Sequence, residues 1–393
     1  MMELRQQVNR VLDNLADSID ISETRYKEAE GHYMAIGQWL GKEDSPLAFY
    51  NPEIYPQGSF RLGTVVKPIT EKDEYDIDLV CQLDVSKEEV TQKELKQMVG
   101  GRLKENRTYK QMLDKKEGRR CWTIQYDDGA QFHMDILPTI PEDPVYIGSL
   151  KRAGIPDAWA KHAICLTDNT FWNYDLYDDD WPRSNPRGYA EWFKERMKVQ
   201  FDERRKMIAT RMRAGIEDVP EYLIKTPLQR SIQLLKRHRD ITFVDDPDDR
   251  PISIIITTLA ALAYDNQADL YEAITSIVKE MSTYIKRING VEQILNPVNP
   301  NENFADKWQK NPDKEMKFRD WISKLQSDMD AMLEANNIYK VSERLKGAFG
   351  ALAVSRAFSF DSAVKASTVT VITNKPQEII IRNPIRPWRS NEC

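Results

Sequence analysis

Apolar residues recur every three or four positions over 2–19, where Leu4, Val8, Leu12, Leu15 and Ile19 form one face of a helix. A second helix is predicted over 22–40, opened by Ser22 or Thr24 as cap. The Pro- and Gly-rich FYNPEIYPQGSF then reads as a loop, after which the period becomes that of a strand. From Tyr75 to Leu83, the residues Ile77, Leu79, Cys81 and Leu83 fall on one side, and Asp76, Asp78 and Val80 on the other. A helix fits 91–105. A hairpin fits 121–137, with its turn at Asp127-Asp128-Gly129. In its second strand Phe132, Met134 and Ile136 share one face, and Gln131, His133 and Asp135 the other.

Beyond about 150 the pattern becomes helical. After an acidic, Pro-containing loop near 174–187, helices are predicted over 188–213, 227–240, 252–264, 268–288, 313–336 and 340–356. The stretches DDPDDRP and NPVNPNENFADKW read as loops, and a short strand with an extended end is expected from about 372. No internal repeat and no low-complexity tract interrupts this order.

Composition narrows the classes. With 41% hydrophobic and 30% charged residues among 393, there is ample apolar material for a core. The longest apolar run, PISIIITTLAALAY, is too short to span a membrane, and the amino-terminal MMELRQQVNRVLDNL has no signal-peptide core. No membrane partner and a cytoplasmic, reducing location are therefore expected. Cys81, Cys121, Cys165 and Cys393 form no CxxC pair, so neither a zinc site nor a disulfide framework is indicated. A net charge of −6 argues against a long nucleic-acid partner. It leaves room for a local basic pocket that holds a triphosphate.

The chemistry concentrates on carboxylates. Asp76 and Asp78 leave one face of a strand whose other positions are apolar, and burying both without counter-charge is costly. Oxygen ligands with room for substrate phosphates point to Mg²⁺ or Mn²⁺. If the Asp135 strand neighbours theirs, three carboxylates converge and can hold two ions. One ion activates an attacking hydroxyl and the other neutralises leaving pyrophosphate. Asp76 and Asp78 would hold the triphosphate metal and share the second. Asp135 would complete the second and orient the hydroxyl, or act as its base. A lone DxD has a plain alternative, a solvated acidic strand end. The upstream turn weighs against it: Gly58 lets backbone approach a phosphate, Ser59 adds a hydroxyl, and a short helix after them favours an anion. His133 shares the face of Asp135 but reads more simply as a satisfied strand histidine.

QGSFRLGTVVKP, DEYDIDLV and HMDILP together resemble the polymerase-β-like nucleotidyltransferases. TPLQRSIQLLKRHRD, PISIIITTLAALAY and NPVNPNENFADKW narrow the resemblance to the bacterial cGAS/DncV-like members, over roughly residues 50–310. The resemblance implies an α+β fold: a nucleotidyltransferase core with a mixed sheet, a carboxy-terminal helical lobe, and a cleft between them. The domains expected are 1–170 as catalytic core with a bracing amino-terminal helix, 171–371 as helical lobe and 372–393 as tail. The implied activity joins and cyclises nucleoside triphosphates, with ATP or GTP expected, into a cyclic di- or trinucleotide second messenger of anti-phage signalling, with two divalent ions and without long nucleic acid.

The resemblance also assigns residues. Gln57, Gly58 and Ser59 match the family's phosphate-binding turn. Lys236, in a helix started by Thr226 and Pro227, matches a lysine that reaches the triphosphate, and Ser253 a serine with similar work. For Lys236, Arg237 and Arg239 the alternative is a solvated basic face. Arg61 and Lys67 could touch phosphate or lie on the surface. His238 reads as structural or exposed, and the basic run at 194–215 as a solvated face rather than an RNA site. In the resembling systems a regulatory or conjugating partner from a defence operon can act on the synthase's end. Ser390-Asn391-Glu392-Cys393 departs from the glycine pattern, which leaves conjugation open. Two other functions stay in view: a non-cyclising transferase on the same lobe, and a catalytically idle binding protein.

Overall fold

The computed structural model describes residues 2–70, 74–126, 132–335 and 337–367. Two compact units account for them. One comprises Ile21–Glu195 with Gln293–Ala305, and the other the described residues of Met1–Asp20, Arg196–Glu292 and Asp306–Cys393. The division falls at Glu195 rather than at 170, and it is not linear in sequence. Side chains explain why. Ser18 Oγ donates to the carbonyl of Ala353 at 3.2 Å and Asn14 Nδ2 to that of Ala357 at 3.2 Å, so the amino-terminal helix belongs with the late helices. Tyr146 Oη donates to Asn299 Oδ1 at 2.7 Å, which ties 293–305 back to the first unit. The expected tail, 372–393, lies outside the described residues.

The first unit is built on six strands: β1 (Glu53–Pro56), β2 (Tyr75–Gln82), β3 (Trp122–Gln125), β4 (Phe132–Pro141), β5 (Ile164–Leu166) and β6 (Arg183–Ser184). Their order is β1-β2-β4-β5-β6, with β3 pairing the first half of β4. Strands β2 and β4 run parallel, and the other pairs are antiparallel. The sheet is therefore mixed, as expected. β3 and β4 pair as the predicted hairpin requires, while its turn residues, with Gln131, lie outside the described residues.

The apolar face of the sheet is where the alternation put it. Ile77, Leu79, Cys81, Ile124, Phe132, Met134 and Ile136 have no exposed surface. Full burial of a Leu, Ile or Met contributes about 2 kcal/mol each. The helix Gln92–Glu105 packs here, started by a Thr91–Glu94 capping box, with Leu95, Val99 and Leu103 buried and Gly100 beneath the indole of Trp122. Five strands of this unit were not anticipated, and two of them, Leu295–Asn296 and Asn299–Asn303, pair antiparallel at the start of NPVNPNENFADKW, where a loop was expected. β1 lies in the expected loop, its Pro56 at the last position, where a missing N–H is tolerated. β5 and β6 are too short to show a period; all three residues of β5 are buried.

The second unit is helical: Met2–Ile19, Lys198–Met212, Pro227–Thr242, Ser253–Ala263, Leu270–Glu280, Pro312–Leu333, Ile338–Phe349 and Ala351–Ser367. Leu12, Leu15, Leu228, Ile232, Leu235, Leu259, Ile274 and Leu325 are fully buried in it. Three predicted helices prove shorter. The one over 188–213 breaks at Met197, and the one over 340–356 at Gly350. The one over 268–288 ends at Glu280, because Asn289 and Gly290, both with positive φ, turn a hairpin between Lys286–Ile288 and Val291–Gln293.

Candidate functional site

The parallel register of β2 and β4 sets Asp78 opposite Asp135 and Asp76 opposite His133. Neighbouring strands stand about 4.8 Å apart, so Asp76, Asp78 and Asp135 share one face over two adjacent strands. That face changes along β2. The Asp76 side chain is 66% exposed, Asp78 is half-buried, and Val80 is fully buried against Tyr55, Ile164 and Leu166. The carboxylates thus occupy the open end of a face that closes two residues later. Asp76 is more exposed than its apolar neighbours suggested.

Backbone contacts bring the upstream turn to the same place. β1 pairs with β2 up to Pro56 and Leu79, and the amide of Gln57 donates to the carbonyl of Asp78 at 2.8 Å. The chain then turns into the short helix Gly58–Leu62. Gly58 has φ +61°, and a Cβ there would overlap Asp78 Oδ2. Glycine is needed twice over, for the backbone angle and for the carboxylate above it. Gln57, Gly58, Ser59, Asp76, Asp78 and Asp135 therefore come together in one unit.

Two neighbours complete the surroundings of the carboxylates: Thr123, which the sequence reading left out, and His133, which it read as a satisfied strand histidine. Thr123 Oγ1 donates to Asp135 Oδ1 at 2.6 Å. His133 lies between two carboxylates, with Nε2 3.1 Å from Asp76 Oδ1 and Nδ1 3.1 Å from Glu74 Oε2. A signal for Thr123 was present: in the observed register it pairs directly with Asp135. Counting outward by equal steps from Gly129 would have found it. Cys121 Sγ lies 3.8 Å from Thr123 Oγ1, and burial, aided by the Asp135 charge, pushes its thiol up to about 12.

The donor set is all oxygen, three carboxylates on one face, which suits a hard divalent cation with open positions. Gly58 leaves the space over Asp78 clear of side-chain carbon. Among the described residues, no three His, Cys, Asp or Glu side chains are gathered closely enough to hold an ion as they stand. Asp135 leans on Thr123 and Asp76 on His133. The residues fit such an ion by the chemistry of their donors and by their register.

Lys236 and Ser253 lie in the helical unit. The helix Pro227–Thr242 begins with a Thr226–Gln229 capping box, and Lys236, Arg237 and Arg239 are all buried, at 4%, 5% and 7% exposure. The solvated basic face is overturned. Arg239 pairs with Asp240 at 2.7 Å and donates to the carbonyl of Pro251 at 3.0 Å and to Ser253 Oγ at 2.9 Å. Ser253 thus starts its helix while accepting a bond from an arginine. His238 is structural: Trp321 Nε1 donates to its Nδ1 at 3.0 Å, so its Nε2 carries the hydrogen given to Asp328 at 3.0 Å. Arg61, in the sheet unit, is buried with Glu191 3.9 Å away.

Comparison with known proteins agrees with this geometry. Residues 52–138, which hold the turn and all three aspartates, match the family described as cyclic GMP-AMP synthase DncV-like, nucleotidyltransferase domain. The chain is 30% identical over 355 residues to a c-di-GMP synthase of Roseivirga ehrenbergii, covering 88% of this chain and 85% of that protein. It is 24% identical over 367 residues to the cyclic dinucleotide synthase CdnG of Bradyrhizobium diazoefficiens, covering 89% and 82%. The fold matches the structure of that CdnG in complex with GTP, with a TM-score of 0.68 at 20% identity, over 91% of this chain and 99% of that one. Among the described residues no helix is long and apolar enough to cross a membrane.

Proposed function

The chain belongs to the DncV-like nucleotidyltransferases, and from that premise we propose that it joins two GTP molecules and closes them into cyclic di-GMP. A 3′-hydroxyl of one nucleotide attacks the α-phosphorus of the other. The new P–O bond forms as the α–β anhydride bond breaks, and pyrophosphate leaves. The linear intermediate then repeats the step within itself. The observation that carries this reading is the register of Asp78 with Asp135 over the Gly58 turn. GTP is favoured by the c-di-GMP synthase, whose length the chain matches over 85%.

In this reading the Gln57–Gly58–Ser59 turn receives the triphosphate, with the Ser59 hydroxyl and turn amides as donors. Asp76 and Asp78 hold the ion that accompanies the triphosphate, and Asp135 joins them at a second Mg²⁺ or Mn²⁺. When bound, such ions lower the pKa of the attacking hydroxyl and neutralise the departing pyrophosphate. Positioning and charge compensation carry the reaction, and no side chain acts as covalent nucleophile. In the helical unit Lys236 is the proposed phosphate contact, and Ser253 a second. The product acts as a second messenger, and the family resemblance supports a place in anti-phage signalling.

Mass spectrometry of reactions with each of the four triphosphates and Mg²⁺, without acceptor, tests the reading. A phosphatase-resistant cyclic product from GTP alone is expected. A linear oligonucleotide, or nucleotide transferred to the protein, would favour the non-cyclising transferases instead.

A further inference from the structure

Asp135 does not stand on β4 unsupported. Thr123, its direct partner across the antiparallel pair, gives it a hydrogen bond of 2.6 Å. A carboxylate only accepts and a threonine hydroxyl has one hydrogen, so that hydrogen is committed to Asp135 Oδ1. Cys121 Sγ lies 3.8 Å from the same hydroxyl.

The strand that carries Thr123 is fixed on every side. β4 pairs with it on one edge. On the other, the amide of Asp114 donates to the carbonyl of Thr123 at 3.0 Å, beside a bridge between Leu113 and Ile124. On the apolar face, Trp122 sits over Gly100 and donates Nε1 to the carbonyl of Lys96 at 2.8 Å, while Ile124 is fully buried. A β-branched side chain on such a strand has little χ1 freedom. A rigid donor of this kind sets the plane of the carboxylate it bonds.

We propose that Thr123 is a positioning residue of the transfer reaction: its hydroxyl occupies Asp135 Oδ1 and presents Oδ2 to the divalent cation. The proposal rests on the reading of Asp135 given above. It makes Asp135 an oriented ligand rather than a free base, because one of its oxygens is already engaged by a donor.

The test compares Thr123→Val, which keeps the shape and removes the hydroxyl, with Thr123→Ser, which keeps the hydroxyl, and with Asp135→Asn. Mn²⁺ binding to the full chain is followed by electron paramagnetic resonance, alongside kcat and KM for GTP and the melting temperature. Thr123→Val is expected to weaken Mn²⁺ binding and to lower kcat, each by about 10- to 100-fold. KM and melting should stay near wild type, and Thr123→Ser should recover both losses. Should Thr123→Val melt early, Thr123→Ala replaces it in the same comparison. Wild-type Mn²⁺ binding and kcat in the hydroxyl-less variant, with Asp135→Asn inactive, would overturn the positioning role alone. Equal losses in Val and Ser would overturn it too. Full activity of Asp135→Asn would instead overturn the reading on which it rests.

Discussion

Within the sheet unit, the β2–β4 face and the surroundings of Asp168 treat carboxylates in opposite ways. Asp168 is fully buried and meets cations of the chain itself. Arg119 Nη2 lies 2.6 Å from one oxygen, Arg120 Nε 3.0 Å from the same one, and Thr170 donates both its amide and its hydroxyl to the other. Burial alone would raise the carboxyl, but these bonds prevail and hold it well below the usual range. Glu142 is likewise buried against cations of the chain, with Lys87 at 2.6 Å and Arg183 at 2.9 Å. Asp135 is half-buried and is held by a neutral hydroxyl, which directs it without cancelling its charge. A carboxylate neutralised inside the fold is part of the fold. One that is oriented but not neutralised leaves its charge for a cation from outside.

The largest effect that would break this comparison is at the face itself. Asp78→Asn and Asp135→Asn are each expected to lower cyclic product formation by about 1,000-fold or more, the loss of several kcal/mol of charge stabilisation. Thermal melts read beside product yields separate this loss of chemistry from a loss of folded protein. Gly58→Ala comes next. The new methyl group overlaps Asp78 Oδ2 at a backbone angle that costs about 1–3 kcal/mol, so kcat/KM for GTP should drop by about 10- to 100-fold.

Asp168→Asn should show the reverse pattern. Asp168 is buried but Arg119 and Arg120 are about half exposed and can be solvated, so loss of the charge-assisted bonds costs about 2 kcal/mol, or about 4–8 °C in the melting of this unit. The turnover of the protein that remains folded should hold. Catalytic loss without destabilisation in this variant would erase the distinction between the two regions.

The smallest expected effect is at His162. Burial, then the nearby positive charges of Arg187 and Lys161, lowers it from 6.5 to about 4. Between these values the unfolded chain binds a proton that the folded chain refuses. Stability therefore falls as pH drops through that window and is flat above it. Urea midpoints at pH 7.5 and 5 should differ in wild type and differ less in His162→Gln.

Much of this comparison was legible in the sequence. The alternation over Tyr75–Leu83 gave the face of Asp76 and Asp78, and HMDIL that of Asp135, because a period of two survives wherever one side of a strand is buried. β5 and β6 were missed because two or three residues carry no period. The break at Met197 was missed because a helical pattern does not reveal where one helix stops and another starts. Asn289–Gly290 was a readable hairpin signal inside a stretch read as helix. Arg237 and Arg239 misled for a different reason: a buried cation and a solvated one look the same until Asp240, Pro251 and Ser253 are found around them. Thr123 was missed because its role follows from hairpin register, which counting about Gly129 gives and residue type does not.

The most direct measurement separates product from ions in one experiment. Purified full-length chain is incubated with GTP and Mg²⁺, with and without EDTA, beside Asp78→Asn and Asp168→Asn, and the nucleotides are resolved by mass spectrometry. The account predicts cyclic di-GMP from the wild type and from folded Asp168→Asn, and none from Asp78→Asn or with EDTA. Undiminished cyclic product from Asp78→Asn would contradict it.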